Sequence, residues 1–194
     1  LEQSGDQIIQ LIPFYKLGVT HYTDGSVIPP AGYVIETQKE IIVAYHGTQP
    51  EQWYGSGAIE LFHAIQIHQA PMQFGNQQGD VYAGFKKEYE ASKAQLKIAL
   101  LQVDLTKPLV ISGHSLGGAV AQIAALDITT NGINNFTPDS QTKSSQLKQP
   151  SQINIDIIIV FGSPRGFYKT AAKIFKDTKM DKLILKEIKN NLVD

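Results

Sequence analysis

The fold of this chain is constrained most by residues 113–118, which read GHSLGG and carry the spacing G-x-S-x-G. A short apolar run over residues 108–111 precedes them, and an alanine-rich run over residues 119–129 follows. The first run predicts a buried strand and the second predicts a helix. The segment between them is therefore predicted to turn sharply from strand to helix, and a Cβ at Gly113 or Gly117 would collide across so tight a turn.

This turn gives Ser115 a chemical interpretation. A serine hydroxyl is a weak nucleophile unless a turn exposes it and a base takes its proton. The predicted turn places Ser115 at its apex and the backbone N–H of Leu116 at the helix N-terminus, where negative charge is favoured. Ser115 is therefore the candidate catalytic nucleophile. The alternative is a plain strand-to-helix turn without chemistry.

Strands and helices are predicted to alternate along the chain. The predicted strands cover residues 33–37, 41–45, 108–111, 153–161 and 182–188, and the predicted helices cover residues 85–103, 119–129 and 167–175. This alternation indicates a single α/β domain over residues 1–194, with helices flanking a central, mostly parallel sheet. The hairpin formed by the first two strands, with its turn at Gln38 and Lys39, makes the sheet mixed.

Three stretches do not follow this alternation. Residues 6–17 predict a short helix that Pro13 interrupts. Residues 49–80 are predicted to be irregular apart from an amphipathic stretch over residues 59–67. The polar residues 130–152 predict a long loop.

Composition excludes several classes of protein. Of the 194 residues, 42% are hydrophobic and 18% are charged, so the chain can bury a core and is not disordered. A net charge of -1 and the lack of a polybasic run argue against nucleic acid and against an anionic membrane as partners. Without cysteine, disulfides and thiolate metal sites are excluded, and no apolar run reaches the roughly 18 residues of a membrane span. Compartment and oligomeric state stay open.

Several blocks of the sequence resemble the class 3 lipases, the fungal-lipase-like branch of the α/β-hydrolases. GHSLGGAVAQIAAL at 113–126 resembles the signature of that family, and IIVAYHGT at 41–48 is similar to its strand ending in phenylalanine-arginine-glycine-serine/threonine. VYAGF at 81–85, FGSPR at 161–165 and KNNLVD at 189–194 resemble further blocks in the same order. The resemblance implies an α/β-hydrolase fold and hydrolysis of carboxylic esters in lipid-like substrates, without a metal or cofactor.

The resemblance also implies roles for individual residues. Ser115 would be the nucleophile. The backbone N–H groups of Thr48 and Leu116, together with the Thr48 hydroxyl, would form the oxyanion hole. Asp194 would orient the histidine of the catalytic triad. The alternative for Thr48 is a strand-end hydroxyl that caps a turn. The alternative for Asp194 is an acidic residue at a fraying terminus.

The triad histidine is missing from the expected place. The order in this fold is serine, acid, histidine, but all five histidines precede Ser115. They are His21, His46, His63, His68 and His114. One expectation is that the domain lacks its C-terminal part and that a stretch beyond Asp194 carries the histidine. The other is a non-catalytic lipid-binding or interaction module on a hydrolase scaffold.

A lid over the site is a further expectation from the resemblance, since such a segment follows the Thr48 region in the family. Its apolar contacts are expected from Trp53, Ile59, Phe62 and Ile65. An open lid would make transient contact with a lipid interface, whereas the alternative is an ordinary surface helix. Triacylglycerol lipase and phospholipase A1 activities both stay open, as does a serine-dependent acyltransferase that uses the same site.

Overall fold

The computed structural model describes residues 6–17, 29–47, 68–133 and 153–183. The strands are β1 (Ile8–Phe14), β2 (Gly32–Thr37), β3 (Ile41–Tyr45), β4 (Gln69–Phe74), β5 (Gln77–Tyr82), β6 (Leu109–His114) and β7 (Ile155–Phe161). The helices are α1 (Ala83–Leu100), α2 (Leu116–Asn131), α3 (Lys169–Asp177) and a 3₁₀ turn at Met180–Lys182.

Five strands form one mixed sheet in the order β1-β2-β3-β6-β7. β2 runs antiparallel to both of its neighbours, while β3, β6 and β7 are mutually parallel. Four of these five strands therefore point the same way. The α/β class and the mostly parallel, mixed central sheet are confirmed. The carboxyl ends of β3, β6 and β7 meet at one edge, where ligands bind in sheets of this kind.

The prediction of a helix over residues 6–17 is wrong. Residues 8–14 form an edge strand that pairs with β2, from Phe14 opposite Gly32 to Ile8 opposite Thr37. Residues 10, 12 and 14 are more buried than their neighbours, which is the period of two expected of a strand. Pro13 is compatible with this position because an edge strand leaves one side of its backbone unpaired.

The stretch over residues 69–82 is also more ordered than predicted. β4 and β5 form a separate antiparallel hairpin with a two-residue turn at Gly75 and Asn76. Gly75 has a φ of 59°, which the first position of such a turn requires. Met72 and Phe74 alternate with exposed residues and are buried in the core. The many glutamines of these strands conceal the alternation from hydropathy alone.

The core lies between the sheet and the helices α1 and α2. α2 is buried over most of its length, and its alanines allow it to lie close to β6 and β7. α1 contributes Phe85, Tyr89 and Leu96 to the same core. The hairpin β4–β5 packs against both helices and against α3.

The remaining predicted elements differ in their limits or lie elsewhere. The helix predicted over residues 167–175 covers 169–177. Of the strand predicted over residues 182–188, Lys182 ends the 3₁₀ turn, and residues 184–188 lie outside the described residues. Most of the predicted polar loop, residues 134–152, also lies outside them. Within the described parts of the chain, no helix combines the length and apolar character needed to cross a membrane.

Candidate active site

Ser115 occupies a strained turn between β6 and α2. Its backbone dihedrals are φ 53° and ψ -126°, and only one other described non-glycine residue, Lys179, has a positive φ. A conformation of this kind costs about 1–3 kcal/mol and persists only where the surrounding structure enforces it. Ser115 is half-buried, at the edge of the sheet where three parallel strands end.

Hydrogen bonds on both sides hold this turn. The backbone N–H of Ser115 donates to the carbonyl oxygen of Phe161 at 2.8 Å, which joins the turn to the end of β7. The carbonyl oxygen of Ser115 accepts from the N–H of Gly118 at 3.0 Å. Leu116 is the first residue of α2, and its N–H is among those that an α-helix leaves without an intrahelical partner.

Two glycines allow the chain to fold back on itself here. A Cβ on Gly113 would overlap the backbone of Gly117. A Cβ on Gly117 would stand 2.6 Å from the carbonyl oxygen of His46 and 2.7 Å from that of Tyr45. The prediction that both positions exclude a side chain is confirmed.

The end of β3 therefore lies directly against the turn that carries Ser115. A Cβ on Gly47 would come within 2.8 Å of the carbonyl oxygen of His114 and 3.4 Å of its Nδ1. The next residue is Thr48, which lies outside the described residues, as do Trp53, Ile59, Phe62, Ile65 and Asp194. The described part of β3 and its continuation therefore ends at Gly47, against the turn that carries Ser115, and the roles of Thr48 and the other residues stay predictions.

The end of β7 supports the first turn of α2 from the other side. A Cβ on Gly118 would stand 2.7 Å from the Cβ of Ser163. Gln122 donates from Nε2 to the Oγ of Ser163 at 3.0 Å, and that Oγ donates to the carbonyl oxygen of Pro164 at 2.9 Å. The block FGSPR is recognisable in the sequence as a motif, but spacing along the chain does not indicate this supporting contact with α2.

Asp127 is the buried acid nearest in sequence to Ser115, but its carboxylate is used elsewhere. Oδ2 accepts from the hydroxyl of Tyr89 at 2.6 Å and lies 2.7 Å from Nζ of Lys93, while Oδ1 accepts from Nδ2 of Asn131 at 2.6 Å. Burial, reinforced by the charge of Asp127, raises the pKa of Tyr89 well above its ordinary value. Twelve residues of helix separate Asp127 from Ser115, which is about 18 Å.

Asp156 is also remote from Ser115. It lies near the start of β7, where its Oδ2 accepts from the N–H of Leu109 at 2.9 Å. The turn lies at the opposite end of β6, about 20 Å away at 3.3 Å per residue. Asp177 and Asp181 are exposed, at the end of α3 and in the 3₁₀ turn.

The described histidines, His46, His68 and His114, are all exposed. Nδ1 of His46 lies 2.6 Å from the carbonyl oxygen of Gly47. His114 lies at the end of β6 with its ring near Gly47 and Gly162. No group of three or more metal-ligating side chains occurs among the described residues.

The sequence profile described as Lipase (class 3) matches residues 42–188, which is more than half of the chain. The chain belongs to the class 3 lipase family. The chain is 28% identical over 166 residues to phospholipase A1-II 7 from Oryza sativa subsp. indica, covering 73% of the present chain and 38% of the rice protein.

Solved structures agree on the fold of this chain. Lipase II from Rhizopus niveus matches with a TM-score of 0.57 at 23% identity, over 90% of this chain and 54% of that one. The M37 lipase matches with a TM-score of 0.59 at 15% identity, over 94% of this chain and 53% of that one. At these identities the likeness establishes the α/β-hydrolase fold. The chain spans about half the length of these two lipases and 38% of the rice relative.

Proposed function

We propose that this protein is a serine carboxylic-ester hydrolase that acts on lipid-like esters, with Ser115 as its nucleophile. The observation that carries the proposal is the strained backbone of Ser115, with a φ of 53° at the turn from β6 to α2. A plain turn at this position would be served more cheaply by glycine, which adopts positive φ without a steric cost. A serine held at that cost indicates a use for its hydroxyl.

The proposed reaction proceeds through an acyl-enzyme. Oγ of Ser115 attacks the ester carbonyl carbon and gives its proton to a histidine base, and the carbonyl oxygen becomes an oxyanion. The N–H groups of Leu116 and Thr48 would donate to that oxyanion, each contributing about 3 kcal/mol to lowering the barrier. The C–O bond to the alcohol then breaks, and the alcohol leaves with the proton. Water, deprotonated by the same base, releases the acid and regenerates Ser115.

The acid and the base of the triad are assigned in this proposal by their order along the chain. Asp194 is proposed to orient the histidine, and the histidine is proposed to lie downstream of Asp194, as the order serine, acid, histidine requires. His46 and His114 precede Ser115 in the chain, so neither fits that order.

The proposed substrate class follows from the family and from the names of the relatives. The rice relative is named a phospholipase A1, and the solved structures are named lipases. Both names refer to ester hydrolysis in lipids, so glycerolipid esters are the proposed substrates. Trp53, Ile59, Phe62 and Ile65 are proposed to form a lid. If they do, ester hydrolysis should rise sharply once the substrate exceeds its solubility limit.

A fluorophosphonate probe tests the proposal directly, because it reacts with an activated serine. The protein encoded by the complete gene should gain the mass of one adduct, and Ser115→Ala should abolish that gain. Ser163→Ala is the matched control, since Ser163 lies beside the same helix turn but is not the proposed nucleophile, and it should still be labelled. A wild-type protein that gains no adduct would instead favour the non-catalytic lipid-binding module.

A further inference from the structure

Three lysines share the exposed face of α3. Lys169, Lys173 and Lys176 are separated by four and three residues, so they fall within about 60° of one another around the helix. All three are exposed. The buried residues of α3 are Ala171, Ile174 and Phe175, and they lie on the opposite side.

Positive charge extends beyond the helix in both directions. Arg165 precedes α3, and Lys179 and Lys182 follow it, and all three are exposed. Residues 165–183 contain six basic and two acidic residues, a formal charge of +4 in a chain whose net charge is -1. The ion pairs between described residues lie elsewhere, on α1, the hairpin turn at Lys39 and Lys107. We call Arg165, Lys169, Lys173 and Lys176 the α3 ridge.

The α3 ridge begins close to the candidate active site. Arg165 comes two residues after Ser163, whose Cβ lies against Gly118 in the first turn of α2. The ridge then runs along α3. After α3 the chain returns to β7, where the carbonyl oxygen of Leu183 accepts from the N–H of Ile158 at 3.3 Å. The Arg165 end of the ridge therefore lies nearest the turn that carries Ser115, and contact there would bring a surface close to that turn.

We propose that the α3 ridge docks the protein on an anionic lipid surface. A cluster of basic side chains on one exposed helix face attracts the headgroups of anionic lipids. Nucleic acid is the less favoured partner because the net charge of the chain is -1. This inference rests on the proposed function, because a lipid hydrolase meets its substrate at such a surface. The sequence contains no polybasic run, but the fold of α3 brings basic residues together on one face.

Vesicle binding tests the proposal in a Ser115→Ala background, so that the lipid is not consumed. Vesicles of phosphatidylcholine alone and of phosphatidylcholine mixed with phosphatidylglycerol are sedimented with the protein at low salt. Binding to the mixed vesicles should exceed binding to the neutral ones and should fall as salt is added. The triple variant Lys169→Gln, Lys173→Gln, Lys176→Gln should bind the mixed vesicles about 100-fold more weakly, about fivefold per lysine.

A matched triple variant tests whether the position of the lysines matters or only the total charge of the protein. This variant carries Lys39→Gln, Lys87→Gln and Lys97→Gln, which also remove three positive charges but from other surfaces. It should bind the mixed vesicles as tightly as the parent protein. Equal losses in the two triple variants, no preference for the anionic vesicles, or tighter binding to duplex DNA than to the vesicles would each overturn the proposal. Fluorophosphonate labelling of protein with Ser115 intact reports on the proposed function separately. If the protein with Ser115 intact is not labelled but vesicle binding is as expected, the proposed catalytic function is contradicted and the docking proposal is not.

Discussion

Gly117 and His46 come so close that a Cβ on the glycine would stand 2.6 Å from the carbonyl oxygen of the histidine. This contact joins the first turn of α2 to the end of β3. It fixes the distance between Ser115 and the chain that leads to Thr48. The site proposed here therefore depends on two segments that are nearly 70 residues apart in the sequence.

Gly117→Ala should disrupt that relationship. The added Cβ forces the end of β3 away from the turn, and misplacement of catalytic groups by about 1 Å can reduce the rate roughly 100-fold. We expect a loss of that size in kcat/KM for a soluble ester. Gly79→Ala is the control, because its Cβ would stand 2.7 Å from Cα of Ala171, remote from the turn. The two variants should lose similar stability, and equal activities in them would contradict the prediction.

Gly118 and Ser163 should be energetically coupled. Gly118→Ala would place a Cβ 2.7 Å from the Cβ of Ser163, and such overpacking costs about 1–3 kcal/mol. Ser163→Gly removes the obstructing atoms at the expense of the hydrogen bond from Gln122. The double variant should therefore lose less free energy of unfolding than the sum of the single variants, by at least about 0.5 kcal/mol. Additive losses in urea denaturation would refute the coupling.

Asp127→Asn should destabilise the protein although it is nearly isosteric. Whichever way the amide is oriented, its NH₂ faces a donor, either the Tyr89 hydroxyl with Lys93 or Nδ2 of Asn131. Asp127 is 1% exposed, so we expect a loss of about 3 kcal/mol in the free energy of unfolding. Asp156→Asn is the matched control, since that residue is exposed and should change stability by less than about 0.5 kcal/mol. Similar urea midpoints for the two variants would contradict the predicted destabilisation by Asp127→Asn.

We expect Tyr45 to lower the free energy of unfolding at alkaline pH. Burial, with a smaller effect from Asp127, raises the pKa of Tyr45 far above its ordinary value. The unfolded chain releases the phenolic proton near pH 10 while the folded chain keeps it, so the contribution of Tyr45 to stability is lost as pH rises above about 10. The unfolding free energy of Tyr45→Phe relative to wild type should rise by about 1.4 kcal/mol per pH unit there. A difference independent of pH between about pH 9 and pH 11 would contradict this.

The turn around Ser115 was predictable because its signals are local. An apolar run, a G-x-S-x-G pattern and an alanine-rich run are adjacent in the sequence, and each favours one conformation. β1 was mistaken for a helix because Ile, Leu and Gln occur in both structures, and only pairing with β2 decides between them. The hairpin at residues 69–82 carried a local signal in Gly75 and Asn76, but glutamine-rich strands obscured it.

The surroundings of Ser115 could not be predicted in the same way. The contacts of Gly117 with His46 and of Gly118 with Ser163 depend on strand order, which long-range pairing sets. The lysines of α3 lie on one face only because residues 169–176 all belong to the same helix. Roles assigned by family resemblance, as for Thr48 and Asp194, remain predictions.

The hydrogen bond from Ser115 to Phe161 has a consequence for biosynthesis. Phe161 is translated 46 residues after Ser115, and β7 must be in place before its carbonyl can accept that bond. We expect the nascent chain to carry an ordinary, relaxed serine while residues 116–161 are still emerging from the ribosome. On this view the strained turn at Ser115 is completed only after β7 has been synthesised, so any reactivity of its hydroxyl appears late in translation.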